Sequence, residues 1–290
     1  MSAAPRKGPM LRAAILQTRP VFGDVELNVA RALALADRVT PRAALYVFPE
    51  LMTSGYAFAS RAEARALAET PGARPAYAPG LHALAAWAHA KKAHVVAGFP
   101  EKAGARVYNS AVLIGPDGRT KDVYRKLHLF DDEKLWFAPG DRAPRVSRVG
   151  PARVGMMICF DWRFPEAFRV LALAGADAIA HPSNLVFPKA AQQATPVRAM
   201  ENRVYVLTAN RVGEDVRPDR RIGFTGRSQV SAPDGSVPVR ACARGVRALE
   251  LDLDLAAARD KRVNARNDIF KDRRPEFYGP VSSARPRSRG

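Results

Sequence analysis

A strand, a long helix and a second strand follow one another without interruption at the start of the chain. Residues 10–18 (MLRAAILQT) form the apolar run typical of a buried strand, and residues 23–39 carry apolar side chains at helical spacing. A second apolar run, AALYVF, occupies residues 43–48. This order forms a crossover unit between parallel strands, so the sequence predicts an α/β fold.

Each half of the chain adds a hairpin to such a unit, with a turn that contains Pro-Asp-Gly. Residues 107–114 and 120–124 flank the turn GPDG, and residues 227–231 and 237–241 flank the turn APDG. Pro presets one turn dihedral, and Gly permits the left-handed conformation that such turns use. The repetition predicts two pseudo-equivalent halves and two sheets that pack together.

The other predicted elements belong to one continuous domain. They are helices at residues 62–68, 80–92, 167–174, 189–203 and 255–261, and strands at residues 94–99, 177–181, 204–209 and 246–253. No linker interrupts them, so we expect a single domain over residues 10–278. Residues 1–9 are expected to form a disordered lead-in, and residues 279–290, rich in Pro, Ser and Arg, a mobile basic tail.

The net charge of +18 raises the hypothesis of nucleic-acid binding. The arginines are spread over the whole chain without a nucleic-acid-binding motif, so this role is not favoured. No apolar run approaches the roughly 20 residues of a membrane span. The only two cysteines, Cys159 and Cys242, argue against a disulfide framework and favour the cytoplasm, and Cys242 is expected to be core. The histidines show no metal-ligand spacing, so no metal or other cofactor is expected.

Cys159 ends the apolar run of residues 154–158 and precedes the turn into the helix at residues 167–174. A thiol at a strand-to-helix turn lies near amide N–H groups, which lower its pKa and favour the nucleophilic thiolate. Alone, a cysteine in this place is also compatible with a small buried hydrophobic residue.

Two further charged residues follow predicted strands directly. Glu50 comes after the second strand and Lys126 after the first hairpin, and open α/β sheets place their sites at such strand ends. A carboxylate can take the proton of a thiol, and an ammonium can stabilise a thiolate or an oxyanion. Together with Cys159 they indicate acyl transfer through a thioester. Glu133, in the charged segment DDEK, is expected to lie in a loop.

Three short segments of this sequence resemble the catalytic blocks of the nitrilase superfamily of carbon–nitrogen hydrolases. They are FPE at residues 48–50, YRKLH at residues 124–128 and CFDWRFPE at residues 159–166. The late segment NDIFKDRR, at residues 267–274, resembles the thermophilic aliphatic nitrilase and amidase branch. The resemblance covers residues 10–278.

The resemblance implies a four-layer αββα sandwich that assembles as a homodimer, with helices packed across the two-fold axis and C-terminal segments exchanged. By motif, Glu50 is the general base and Cys159 the nucleophile. Lys126 and the backbone N–H of Phe160 would form the oxyanion hole, and Glu133 would orient the substrate. No cofactor is implied.

The resemblance also suggests substrate-binding residues. Candidates for the pocket wall, each explained equally well by packing, are Tyr56, Trp162 and Asn184. Arg163 could bind a substrate carboxylate or form an ion pair with Glu166 or Asp161, and we favour the ion pair.

The leading hypothesis from the sequence is therefore hydrolysis of a small aliphatic amide with release of ammonia or an amine. Hydrolysis of a small aliphatic nitrile by the same residues, through a thioimidate, is the nearest alternative. Hydrolysis of an N-carbamoyl amine is a third. Acyl transfer to an amine and nucleic-acid binding on an inactive hydrolase scaffold are less favoured.

Overall fold

A computed structural model describes residues 8–75 and 78–283 of the chain. The strands are β1 (Met10–Gln17), β2 (Leu45–Val47), β3 (His94–Ala103), β4 (Arg106–Ile114), β5 (Thr120–Arg125), β6 (Val146–Val149), β7 (Ala152–Met156), β8 (Ala178–Ser183), β9 (Tyr205–Asn210), β10 (Val212–Arg217), β11 (Arg220–Thr225), β12 (Gln229–Ser231), β13 (Val239–Arg240) and β14 (Arg247–Asp254). The α-helices are α1 (Val25–Val39), α2 (Arg61–Ala66), α3 (Pro79–Lys91), α4 (Glu133–Trp136), α5 (Pro165–Leu173), α6 (Ala190–Asn202), α7 (Leu255–Arg259) and α8 (Gly279–Ser283).

Two six-stranded sheets repeat one pattern of strand directions. The first has the order β14-β1-β2-β3-β4-β5 and the second the order β6-β7-β8-β9-β12-β13. In each, the second, third and fourth strands are parallel to one another, and the flanking strands are antiparallel. Helix α1 connects β1 to β2 as α5 connects β7 to β8. The two halves are therefore pseudo-equivalent, as predicted, and both Pro-Asp-Gly hairpins are present.

Alternating side chains explain how the sheets form layers. Along β1, Leu11, Ala13 and Ile15 contact the second sheet, whereas Ala14 and Leu16 belong to a separate core with α1 and α3. Helices α5 and α6 cover the other face of the second sheet. This alternation follows from the two-residue period of a strand. The result is a four-layer αββα sandwich.

Two segments form strands that were not predicted, and the structure describes only parts of the predicted lead-in and tail. Strand β6 and the hairpin β10–β11 lie where no strand was predicted, and the hairpin forms a small sheet of its own. Of the predicted mobile tail, residues 284–290 lie outside the described residues, but Gly279–Ser283 form the exposed helix α8. Residues 1–7 of the predicted lead-in also lie outside the described residues, and Pro9 O accepts a hydrogen bond from Leu255 N at 3.1 Å.

Cys242 was predicted to belong to the core. This prediction was wrong, because Cys242 is exposed just after the short edge strand β13. Both cysteines are free thiols. Within the described ranges, no helix combines the length and the apolar character that crossing a bilayer would require.

Candidate active site

The structure brings together the three charged or nucleophilic residues that follow predicted strands. Glu50 lies three residues after β2, Lys126 directly after β5 and Cys159 three residues after β7. All three are buried. Lys126 Nζ lies 2.7 Å from Glu50 Oε1, and the charges of Glu50 and Lys126 both act on the Cys159 thiol. Side chains from distant parts of the chain thus meet at one edge of the sandwich.

Glu133 was predicted to lie in a loop. It lies instead at the start of α4, with no accessible surface. Its Oε1 lies 2.7 Å from Lys126 Nζ and accepts a hydrogen bond from the Tyr56 hydroxyl at 2.8 Å. Its Oε2 accepts a bond from Phe130 N at 3.2 Å. The segment is buried because these partners satisfy the carboxylate.

The buried charges determine the protonation states of the site. Burial lowers the pKa of Lys126, but the Glu133 and Glu50 carboxylates raise it above its ordinary value, so the ammonium stays charged. Burial raises the pKa of Glu133 to about 7, although Lys126 opposes this shift. Burial and Glu133 raise the pKa of Tyr56 well above its ordinary value, so Tyr56 donates as a neutral phenol.

The sequence predicted that the turn would lower the pKa of the Cys159 thiol. This prediction was wrong, because the pKa is raised well above its ordinary value. Burial is the largest cause, and the Glu50 carboxylate adds to it. Lys126 and the backbone N–H of Asn184 oppose the shift without cancelling it. Cys159 is therefore a neutral thiol at rest, and a reaction as a nucleophile would require a base within the site.

Glu50 has one oxygen free for that task. Its Oε1 accepts bonds from Lys126 and from Asn109 Nδ2 at 2.7 Å each. Its Oε2 is buried and has no partner among the described residues. An unpaired carboxylate oxygen is costly inside a protein, and the Glu50 charge acts on the Cys159 thiol. Glu50 Oε2 is therefore the candidate proton acceptor.

The backbone of Cys159 is strained, with a φ of +40° at the start of a 3₁₀ turn, Cys159–Arg163. The Nε2 of His181 lies 2.9 Å from Cys159 O. Burial lowers the pKa of His181, so this ring is neutral. Non-glycine residues at positive φ are uncommon and concentrate at functional sites, where the surroundings must hold them. His181 holds this turn, a role that the sequence analysis did not reveal.

The same turn carries the other predicted donor to an oxyanion. Phe160 lies in its first turn, where backbone N–H groups have no partner within the helix. Asp161 is buried and accepts a bond from Ile158 N at 2.8 Å, which fixes the turn against the strand. It also accepts the Tyr124 hydroxyl at 2.8 Å. Asp161 was considered only as a partner of Arg163, and its positioning role was missed.

A small cavity of about 20 Å³ lies over the thiol. Among its lining residues are Cys159, Phe160, Trp162 and Asn184, so two of the three predicted pocket residues reach it. The Asn184 side chain is 3% exposed, and neither its Oδ1 nor its Nδ2 has a partner among the described residues. Tyr56 is not among the lining residues and instead binds Glu133.

Arg163 forms neither ion pair considered from the sequence. In the described ranges no pair joins it to Glu166 or Asp161, because Asp161 is already bound to Tyr124 and to His128, whose Nδ1 lies 2.7 Å away. The exposed guanidinium lies 4.7 Å from the centre of the Trp162 ring, and Arg163 does not line the cavity. Arg163 therefore makes a cation–π contact with Trp162.

Comparisons with known proteins agree with this geometry. The model of the carbon-nitrogen hydrolase family matches residues 12–262. A protein named nitrilase from Pyrococcus abyssi is 42% identical over 272 residues, which cover 93% of this chain and 99% of that protein. An (R)-stereoselective amidase from a Pseudomonas species is 36% identical over 262 residues, or 89% of each chain.

Solved structures agree as well. The crystal structure of a carbon-nitrogen hydrolase from Helicobacter pylori G27 superposes with a TM-score of 0.83 at 26% identity. The match covers 95% of this chain and 99% of that one. Family model, relatives and fold coincide over nearly the whole chain. The chain belongs to the carbon–nitrogen hydrolase family of the nitrilase superfamily and is a hydrolase of non-peptide carbon–nitrogen bonds.

Proposed function

We propose that this protein hydrolyses a small aliphatic amide to a carboxylic acid and ammonia or an amine, through a thioester at Cys159. Glu50 Oε2 takes the proton of the neutral thiol as Sγ bonds to the carbonyl carbon. The Lys126 ammonium and the Phe160 N–H stabilise the oxyanion that develops. Glu50 then passes the proton to the leaving nitrogen, the carbon–nitrogen bond breaks, and a water activated by Glu50 hydrolyses the thioester.

The observation that carries the amide assignment is the unpaired side chain of Asn184 in the cavity over the thiol. Its Nδ2 donates and its Oδ1 accepts, so its full satisfaction requires a substrate that offers both an acceptor and a donor. An amide offers both, whereas a nitrile nitrogen only accepts.

Nitrile hydrolysis is the second candidate, favoured by the relative named nitrilase from Pyrococcus abyssi. The same thiol would add to the nitrile carbon and form a thioimidate, which water would convert to the acid and ammonia. An N-carbamoyl amine also presents a donor and an acceptor to Asn184, but it is longer than an acetyl or propionyl amide.

The test is ammonia release from acetamide, propionamide and butyramide, from the matching nitriles, and from an N-carbamoyl amine. We expect release from the amides, and we expect Asn184→Leu, which keeps the side-chain size, to lower their kcat/KM about tenfold or more for each lost hydrogen bond. Release from nitriles alone, with the acid accumulating and little effect of Asn184→Leu, would reject the amide assignment and support the nitrilase candidate.

The free cysteines support a proposal for the cellular compartment in which the protein acts. Both Cys159 and Cys242 are free thiols, which fits a reducing compartment. We therefore propose that the protein acts in the cytoplasm.

A further inference from the structure

A groove of about 400 Å³ lies along α1, and none of its lining residues belongs to the site around Cys159. The residues that line it are Thr18, Arg19, Pro20, Asn28, Arg31, Ala32, Ala34, Leu35, Arg38 and Val246. Its volume lies within the range of about 300–1,000 Å³ that small-molecule sites occupy. The groove is thus large enough for a ligand of its own.

The guanidinium groups of Arg19, Arg31 and Arg38 line this groove, and its lining includes no carboxylate. Over residues 8–75 and 78–283, no ion pair joins any of the three to an acidic side chain. Arg31 and Arg38 are seven positions apart on α1, so they lie on one face of the helix about 10 Å apart along its axis. Like charges held along one groove repel each other, and an anion between them removes that repulsion.

A buried hydroxyl at the groove is also without a partner. Thr18 is 6% exposed, and its Oγ1 accepts and donates no hydrogen bond among the described residues. In contrast, Asn28 is satisfied, because its Nδ2 donates to Val21 O at 2.7 Å and to Thr53 O at 2.9 Å. Buried polar groups are almost always bonded, so this hydroxyl leaves one wall of the groove incompletely satisfied.

The rest of the lining is apolar. Ala32 and Leu35 are buried, and Ala34 and Val246 extend the apolar surface to the outside. A ligand with only charged groups would leave this surface in contact with water. The lining therefore suits a molecule with one anionic end and a small apolar body.

We propose that this groove binds a small organic anion, a carboxylate or a phosphate monoester on an apolar body of about the size of a phenyl ring. Its oxygens face the guanidinium groups that line the groove, those of Arg19, Arg31 and Arg38, whose planar forks match such groups. Its apolar body lies against Leu35. The site is separate from the catalytic cavity and goes beyond the amide hydrolysis proposed above.

The test is isothermal titration calorimetry of the whole chain, at low ionic strength, with phenyl phosphate, benzoate, inorganic phosphate and the uncharged phenol as probes. We expect phenyl phosphate or benzoate to bind saturably and more tightly than inorganic phosphate or phenol, and the comparison of the first two tells which anion the groove prefers. The double variant Arg31→Gln/Arg38→Gln should weaken binding at least about tenfold.

The matched control is Arg119→Gln/Arg266→Gln, which makes the same change of charge at two exposed arginines outside the groove. We expect it to retain the affinity of the wild type. Absence of saturable binding, binding that persists in Arg31→Gln/Arg38→Gln, or an equal loss in the control variant would each overturn the proposal. A loss in the groove variant alone supports it, provided that ammonia release from the amide is unchanged.

Discussion

Lys126 is the residue on which the charges of the site depend. It lies 2.7 Å from one oxygen of Glu50 and 2.7 Å from one oxygen of Glu133, and all three side chains are buried. Two carboxylates so close together repel each other, and only the shared ammonium allows both to remain inside the protein. Burial, and to a smaller degree the charge of Glu50, raise the pKa of Glu133 to about 7.

This raised pKa predicts a dependence of stability on pH that Glu133→Gln should remove. Between the ordinary value of 4.5 and about 7, folded protein keeps a proton on Glu133 that the unfolded chain has released. The free energy of unfolding therefore gains from Glu133 below this window and loses that gain as the pH rises through it. Urea unfolding at several pH values should show the wild type losing stability relative to Glu133→Gln from pH 5 to about 7.5. A constant difference between the two proteins would contradict this prediction.

The residues of the site differ in how far the sequence predicts them. Glu50, Lys126 and Cys159 could be found because each follows an apolar run, and strand ends are visible locally. Glu133 was misplaced because its neighbours are charged, whereas the groups that bury it, Lys126 and Tyr56, come from other segments. The pKa of Cys159 was predicted in the wrong direction because turn position is local, whereas burial and the field of Glu50 depend on the fold.

At the scale of elements, the hairpin β10–β11 holds the loop that carries Tyr56. Asp215 on β10 accepts bonds from Tyr56 N at 2.8 Å and from Ala57 N at 3.1 Å. It also forms a fully buried ion pair with Arg211 at 2.8 Å. The ring of Phe224 on β11 packs edge-on against Tyr56. The hairpin therefore fixes Tyr56, which in turn binds Glu133.

The variant Asp215→Asn tests this anchor. It leaves the buried Arg211 without a counter-charge, so the free energy of unfolding should fall by roughly 3–5 kcal/mol in urea denaturation. The matched control is Glu214→Gln on the same strand, whose exposed pair with Arg221 at 3.0 Å should contribute less than about 1 kcal/mol. Equal effects of the two substitutions would contradict the role of Asp215.

There is a physical reason why the sequence did not predict this hairpin. Strand prediction relies on apolar residues that repeat every second position, and β10 (VGEDVR) buries a charged residue, Asp215, instead. Asp215 is buried only because Arg211 and the backbone of the loop at Tyr56 satisfy it. Such pairs form through the tertiary structure and leave no periodic signal.

At the scale of the whole molecule, the candidate site draws on both pseudo-equivalent halves. Glu50 and Lys126 follow strands of the first sheet, and Cys159 follows a strand of the second. Packing of the two sheets therefore brings the proposed base, Glu50, and the proposed nucleophile, Cys159, together. The two-half architecture was predictable because each hairpin turn is marked by Pro and Gly, whereas the number of strands in each sheet was not.

The surface of α5 and α6 predicts a homodimer, which we propose as the assembly of this protein. Val170 and Leu173 on α5 and Met200 on α6 are 46%, 45% and 49% exposed. They lie beside a groove of about 1,040 Å³, which Tyr278 also lines. An exposed apolar surface of this kind marks an interface. Light scattering after gel filtration should give twice the chain mass of 31.6 kDa.

Leu173→Asp should convert the dimer to a monomer, because it places a charge within the apolar contact. The control is Val216→Asp, at a residue that is 57% exposed on β10, and it should remain dimeric. A wild type with the mass of one chain would contradict the proposed assembly.

The central claim is that Cys159 forms the covalent intermediate, and the most direct measurement is the turnover of the best amide substrate by Cys159→Ala beside the wild type. Alanine keeps the fold but supplies no nucleophile, so we predict that ammonia release falls at least about 1,000-fold. Circular dichroism and thermal unfolding establish that the variant is folded. Turnover by a folded Cys159→Ala within tenfold of the wild-type rate would contradict the thioester mechanism.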